Sequence, residues 1–194
     1  MNKIFSGFVL LFFLSIFCYS WCGCAKKDQE RQYDETVLET PKSVASDNAF
    51  LWQVPTGWKE EPASGMRIAT FRLAGNPDEI DVSIVSLGGM AGGLEANLAR
   101  WATQLNIKLA ADQDLPKLIS NAEIISLPNG SKAKIFDFTR LQGGQDLSTK
   151  SMIAAMINFD DTTVFVKMTG SIDAVKNHER SFQALLQSIQ PKGQ

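Results

Sequence analysis

The sequence has few cysteines and almost no histidine, and both shortages limit the chemistry open to it. Its 194 residues contain three cysteines and one histidine. All three cysteines, Cys18, Cys22 and Cys24, lie in the first 24 residues, so the remaining chain has no thiol for a disulfide, a metal or a nucleophile. One histidine without cysteine offers too few soft ligands for a zinc site. We therefore expect the protein to bind no metal and no cofactor.

A concentration of positive charge is also missing. The chain has 19 Lys and Arg residues against 21 Asp and Glu residues, a formal net charge of −2. Nucleic-acid binding needs a concentrated basic surface, so this balance argues against a nucleic-acid partner. With 44% hydrophobic and 21% charged residues, the composition is that of an ordinary globular protein.

The first 24 residues have the layout of an export signal, since a lysine precedes an almost unbroken apolar run over 4–17. Gly23 and Cys24, followed by a polar run, resemble the lipobox that ends a bacterial lipoprotein signal. The resemblance implies that Cys24 carries the lipid and that the protein is exported and anchored on the cell envelope, at the periplasmic face or the outer membrane. An uncleaved anchor is one alternative, because residues 4–21 approach the ~20 that span a bilayer. Plain secretion is the other.

Residues 25–48 are polar, mixed in charge and without strand or helix periodicity. Such a segment is predicted to be a flexible linker that separates a membrane anchor from a folded domain. The remaining residues, 49–194, have a length and composition suited to one domain with its own hydrophobic core.

The domain pattern consists of strands joined by hairpins, with a few helices between them. Strands are predicted over 50–54, 66–73, 80–87, 122–127, 132–140, 150–159 and 163–169, and helices over 94–105, 114–120 and 172–189, the last with Ser171 as its N-cap. The strand at 150–159 is apolar at both alternating sets of positions, so it should be covered on both faces. Because hairpins dominate, we expect an α+β fold with a mainly antiparallel sheet of about seven strands covered by helices.

This order of elements, together with two short motifs, resembles the PsbP/DcrB-like superfamily of small α/β sandwiches. The first motif is WQVPTGW at 52–58, and the second is the stretch at 89–104 that contains Asn97, Arg100 and Trp101. The second motif is similar to a subset of uncharacterised bacterial envelope lipoproteins. The resemblance implies a PsbP-like sandwich and an accessory or binding role, and it implies no particular chemistry.

The glycine-rich turn at 88–93 is the first candidate binding site. A strand, a run of glycines and a helix N-terminus can present backbone amides to an anion. The nucleotide-binding fingerprints do not fit, because Met90 occupies the second glycine position and Leu94 stands where a P-loop would have lysine. The candidate binding residues in the turn are Gly89, Gly92 and Gly93. The structural alternative is a tight connection that needs positive φ.

The helix after this turn supplies the other candidate binding residues, Asn97, Arg100 and Trp101. Asn97, Arg100 and Gln104 are spaced to lie on one helix face. Arginine beside tryptophan is common at recognition surfaces. The structural alternative places Trp101 in the core and lets Arg100 hydrogen-bond to nearby backbone.

No catalytic constellation can be recognised. His178 lies within the predicted closing helix, and no serine stands in a nucleophile motif. We therefore predict a membrane-anchored envelope lipoprotein that is a non-catalytic binding or accessory module with an envelope protein as its partner. The alternative is a small-ligand or anion-binding protein that uses the loop at 88–93. An unrecognised hydrolase using His178 or clustered carboxylates is a more distant one.

Overall fold

The computed structural model describes residues 49–77, 79–89, 91–110 and 113–193. The predicted signal at 1–24, with Cys24, and the predicted linker at 25–48 lie outside the described residues, so both stay predictions. None of the helices in the described ranges combines the length and the hydropathy that crossing a membrane requires.

The centre of the fold is a seven-stranded sheet. The described residues form nine strands, seven of which belong to this sheet. In chain order the nine are β1 (Phe50–Leu51), β2 (Trp58–Glu61), β3 (Arg67–Leu73), β4 (Ile80–Gly88), β5 (Glu123–Ser126), β6 (Lys132–Asp137), β7 (Lys150–Phe159), β8 (Thr162–Ser171) and β9 (Gln190–Pro191). The sheet has the order β2-β3-β4-β8-β7-β6-β5, and each neighbouring pair is antiparallel. The remaining two strands, β1 and β9, pair with each other. The predicted α+β class with a mainly antiparallel sheet is confirmed.

Helices lie on both faces of this sheet. They are α1 (Leu94–Gln104), α2 (Asp114–Ser120), α3 (Ile172–Asn177) and α4 (Glu179–Ser188), with a 3₁₀ helix at Phe138–Gln142. Side chains of α3 and α4 pack in one hydrophobic cluster, and side chains of α1 and α2 pack in a second. The two clusters are separated by the sheet, because strand residues alternate between its faces.

Strand β7 shows this alternation at its clearest. Ile153, Ala155 and Ile157 join the cluster under α3 and α4, whereas Met152, Ala154 and Met156 join the cluster under α1 and α2. Both sets are buried, which confirms the prediction of a strand covered on both faces.

The helices on the α1 side cover only part of the sheet. The sheet residues buried in that cluster come from β6, β7 and β8, with partly buried side chains from β4, and among the described residues β2 and β3 contribute none. The uncovered part carries charged side chains instead. We call it the open sheet half and define it by Glu61, Arg67, Arg72 and Asp81.

The first predicted strand is wrong in its extent. Only Phe50–Leu51 is a strand, and it pairs outside the main sheet; Val54 is 41% exposed and Trp52 is partly buried against the core. The seventh strand of the sheet is instead β2, which the pattern did not predict. On this edge strand only Trp58 is buried, so the alternation that marks a strand is missing.

The predicted closing helix is divided in two. Ser171 is its N-cap as predicted, since its Oγ accepts a hydrogen bond from the Ala174 amide at 3.1 Å. At His178 the backbone leaves the helical region, with φ −104° and ψ 7°, and α3 gives way to α4. The His178 ring lies 6.5 Å from that of Trp58, and its Nε2 lies 3.3 Å from Oε1 of Glu79. At the break between α3 and α4, His178 therefore contacts Trp58 of the edge strand β2 and Glu79 just before β4.

The predicted strand at 132–140 is too long. Strand β6 ends at Asp137, where the carboxylate Oδ1 accepts hydrogen bonds from the amide and the hydroxyl of Thr139 at 2.9 and 2.6 Å. Such a local side-chain contact offers the backbone an alternative to the sheet, and the chain continues as a 3₁₀ helix.

Candidate functional site

The turn at 88–93 connects β4 to α1 through backbone conformations that suit glycine. Gly92 and Gly93 have φ of +85° and +83°. The turn begins on the β7–β8 hairpin, where the amide of Gly89 donates to the carbonyl of Asp161 at 2.7 Å and its carbonyl accepts from the Thr163 hydroxyl at 2.8 Å. Part of the polar backbone in this turn is therefore already used within the fold.

Asn97 holds the turn against the helix. Its side chain is buried, with 2% exposure, and its Nδ2 donates to the carbonyl oxygens of Ala91 and Gly93 at 3.0 and 2.6 Å. Its Oδ1 accepts a hydrogen bond from Nη2 of Arg100. Asn97 therefore links the conformation of the turn to the position of a cationic side chain one helical turn away.

Trp101 lies in the core of the α1 side. It is 3% exposed and makes edge-to-face contacts with Phe165 and Phe138, at ring-centroid distances of 5.8 and 6.5 Å. Such contacts add to the stabilisation that burial gives an aromatic ring. Trp101 also lines a surface cavity.

That cavity, which we call the α1 cavity, has a volume of about 220 Å³ and lies between α1 and the sheet. Its lining residues are Met66, Val85, Leu87, Asn97, Arg100, Trp101, Gln104, Phe165 and Lys167. Apolar side chains from β4, β8 and α1, with Met66 just before β3, form one part of the wall. Two amides and two cations form the rest.

Lys167 is the member of this lining that the sequence analysis missed. Burial lowers the pKa of its ammonium, and the positive charges of Arg67 and Arg100 lower it further, although Asp81 opposes them. Within the described ranges, the side chain of Lys167 makes no hydrogen bond and no ion pair. The signal in the sequence was a single charge inside the apolar run VFVKM at 164–168.

The nearest carboxylate is engaged elsewhere. Asp81 accepts two hydrogen bonds from Arg67, from Nη1 to Oδ1 at 2.8 Å and from Nη2 to Oδ2 at 2.9 Å. Arg72 approaches the same carboxylate at 3.9 Å and contacts Glu61 through Nε at 3.2 Å. A two-pronged arginine–carboxylate pair is among the stronger polar contacts in proteins. The Asp81 charge still acts on Lys167, but its effect on the Lys167 pKa is smaller than that of Arg67.

The candidate residues from the sequence fall into two places. Asn97 and Arg100, which helical spacing placed on one face with Gln104, line the α1 cavity together with Trp101. Gly93 instead lines a different cavity of about 370 Å³, whose wall includes Lys132 and Lys134. The structure therefore does not bring the turn glycines and Arg100 together around one cavity.

Among the described residues, the side chains that could take part in hydrolysis or metal binding do not line the α1 cavity. His178 belongs to the α3–α4 layer on the opposite face of the sheet, where it contacts Glu79. In the described part of the chain, no three His, Cys, Asp or Glu side chains are grouped as metal ligands.

No protein-family model matches the chain, and no curated protein sequence is similar to it. Solved structures to which the chain is similar include the following three. One is cyanobacterial PsbP (CyanoP) from Synechocystis, with 13% identity and a TM-score of 0.42, covering 74% of this chain and 86% of that one. Another is LpqN from Mycobacterium tuberculosis, a protein involved in cell envelope biogenesis, with 10% identity and a TM-score of 0.45, covering 73% of this chain and 82% of that one. The third is PA94 from Pseudomonas aeruginosa, a protein of unknown function, with 16% identity and a TM-score of 0.33, covering 74% of this chain and 88% of that one. The likeness to DcrB and to a lipoprotein subset stays a prediction.

Proposed function

We propose that the protein is an accessory binding module of the bacterial cell envelope, without catalytic activity, held at the membrane through Cys24. In this proposal the α1 side of the sheet, from the open sheet half to the α1 cavity, recognises an anionic group on its partner or ligand. The linker at 25–48 would let the domain reach away from the lipid surface.

A surplus of positive charge on the α1 side of the sheet carries the proposal. Among the residues that define the open sheet half or line the α1 cavity, four are cations, Arg67, Arg72, Arg100 and Lys167, and two are carboxylates, Glu61 and Asp81. The two carboxylates pair with Arg67 and Arg72, which leaves Arg100 and Lys167 without an acidic partner in the described part of the chain. The protein as a whole has a net charge of −2, so its total charge does not attract anions. A local surplus of positive charge can still do so, because electrostatic complementarity between two surfaces guides both their encounter and their specificity.

The proposal can be tested in cells with the full chain carrying a C-terminal tag. A fatty-acid label and membrane fractionation compare the wild type with Cys24→Ser. We expect labelled, membrane-bound wild-type protein and an unlabelled variant released from the membrane. Equal membrane retention without label in both would contradict lipidation.

Crosslinking followed by affinity purification then tests recognition. Arg100→Gln is compared with Arg180→Gln, which removes an exposed arginine from α4 on the other face of the sheet. A species recovered with the wild type and with Arg180→Gln, but lost with Arg100→Gln, supports the proposed surface. The same species recovered equally with all three would show that binding does not use Arg100.

A further inference from the structure

The α1 cavity has an apolar wall that an anion alone would not need. Val85, Leu87, Trp101 and Phe165 contribute apolar surface from β4, α1 and β8. Met66 stands at the rim with 68% of its surface exposed. A methionine in this position is an adaptable apolar contact, and its thioether chain is costly to leave in water.

The polar side of the same cavity is suited to a negative charge. The helix supplies Arg100 and the sheet supplies Lys167, while Asn97 and Gln104 add amide groups. No carboxylate is found among the described residues that line the cavity. A half-buried ammonium without a partner is unfavourable, and an anion in the cavity would offset its lost hydration.

The volume limits the size of the occupant. Cavities for drug-sized ligands measure about 300–1,000 Å³, so about 220 Å³ admits only a small molecule or a short chain. The occupant must therefore combine a compact anionic head with a few apolar carbons.

Two other cavities are less suited to such a molecule. The cavity of about 490 Å³ beside Asn76 and Thr169 contains the carboxylates of Glu79 and Asp81, which would repel an anion. The cavity of about 370 Å³ has two lysines on its rim, but Lys132 and Lys134 are exposed and keep their hydration without a ligand.

We infer that the α1 cavity binds a small organic carboxylate with a short unbranched apolar chain. The carboxylate lies between Arg100 and Lys167, and the chain lies against Trp101, Phe165 and the Met66 side chain. This inference rests on the proposed function, because it names the ligand of the same positively charged surface. Burial of each methylene favours binding, so the chain contributes a large part of the affinity.

The test uses three probes of matched chemistry, hexanoate, acetate and 1-hexanol, with the full chain in phosphatidylcholine nanodiscs and empty nanodiscs as blank. Affinities come from calorimetric titration, and saturation-transfer NMR identifies the ligand protons that contact the protein. We expect hexanoate to bind more than tenfold tighter than acetate or hexanol, with its terminal methyl group in contact. Arg100→Gln and Lys167→Met should each weaken hexanoate at least tenfold.

Matched controls remove one charge from the opposite side of the sheet. Arg180→Gln and Lys176→Met should change the hexanoate affinity less than twofold. Met66→Ser alters an exposed side chain and so leaves the fold intact; it should weaken hexanoate severalfold and leave acetate unchanged. This variant keeps the test valid if Arg100→Gln or Lys167→Met fails to fold.

The outcomes separate the inference from the proposed function. Acetate binding as tightly as hexanoate would overturn the inferred apolar chain and leave anion recognition standing. Hexanol binding as tightly as hexanoate would overturn the role of the two cations. If neither carboxylate binds, both the inference and recognition of an anion at this cavity are wrong.

Discussion

Arg100 donates a hydrogen bond to Oδ1 of Asn97, and the amide of the same asparagine donates to the carbonyl oxygens of Ala91 and Gly93. One buried side chain thus joins the glycine-rich turn to the helix and to its cation. None of the described residues of the turn lines the α1 cavity. Instead, the turn holds the asparagine that orients Arg100 at the cavity rim.

Asn97→Ala should lower the free energy of unfolding by about 1–3 kcal/mol, because it removes a buried hydrogen-bonding side chain. The Ala91 carbonyl loses its side-chain donor, whereas the Gly93 carbonyl keeps the backbone amide of residue 97. It should also weaken the binding of hexanoate. Denaturant unfolding and titration measure the two effects. The control is Asn177→Ala, since Asn177 is exposed and its side-chain amide donates to the exposed Asp173 at 3.0 Å. The effect of this change should stay within about 0.5 kcal/mol. Equal effects of the two changes would contradict the proposed role of Asn97.

Gly93 occupies a backbone conformation that other residues rarely adopt. With φ +83° and ψ 160° it lies in a region that is essentially restricted to glycine. A Cβ at this position would meet no atom within 4 Å, so the cost of Gly93→Ala is torsional, about 1–3 kcal/mol of lost stability. Gly88→Ala is the matched control. It too has open space around it but no positive φ, and it should leave stability unchanged or raise it by up to about 1 kcal/mol. Thermal unfolding measures both variants: the midpoint temperature should fall for Gly93→Ala and stay the same or rise for Gly88→Ala.

Much of the fold could be predicted because its strands and helices carry strong periodic patterns. Strand β7 was identified from two apolar faces, and α1 from an apolar stripe that the structure buries. Strand β2 could not be found, since an edge strand with one buried residue lacks alternation. The break at His178 was also hidden, because neither proline nor glycine marks it, and the contacts around it come from distant parts of the chain.

The part of the candidate site that lies within the single helix α1 could be predicted from the sequence, whereas the part that comes from several strands could not. Helical spacing placed Asn97 and Arg100 close together, and the structure shows them hydrogen-bonded. The positions of Lys167 and Met66 depend on the pairing of β3, β4 and β8, which brings residues about 100 positions apart to one cavity. A single sequence contains no signal for that register.

The Asp81 carboxylate should make stability depend on acid. Burial by itself would raise its pKa, but the hydrogen bonds from Arg67 and the positive charges of Arg67, Arg72 and Lys167 outweigh burial and hold the pKa below the ordinary 3.8. A carboxylate with a depressed pKa stabilises the fold above pH 3.8, and this contribution disappears as the pH falls through the folded-state pKa. Asp81→Asn should therefore be less stable than the wild type at pH 6.

Urea unfolding of both proteins from pH 6 down to pH 2 measures this contribution. The difference in unfolding free energy between wild type and Asp81→Asn should shrink below pH 3.8, since protonation removes the same charge from the wild type. A difference that stays constant over this range would show that the ion pair with Arg67 does not contribute to stability.

Lys167 should be a residue whose removal stabilises the empty protein. Its ammonium is half-buried, lies near Arg67 and Arg100, and has no hydrogen-bond or ion-pair partner among the described residues. Replacing an unpaired charge in such a position with an apolar side chain of similar length removes repulsion and adds apolar contact. Lys167→Met should therefore raise the free energy of unfolding by about 0.5 kcal/mol, a modest gain because water screens a half-exposed charge. Lys176→Met, on an exposed helix surface, should leave the free energy of unfolding unchanged.

If Lys167 were kept for stability, Lys167→Met would lower the free energy of unfolding. A gain in stability together with a loss of hexanoate binding therefore identifies Lys167 as a side chain retained for its ligand. A loss of stability in Lys167→Met would mean that the ammonium has a stabilising partner within the fold.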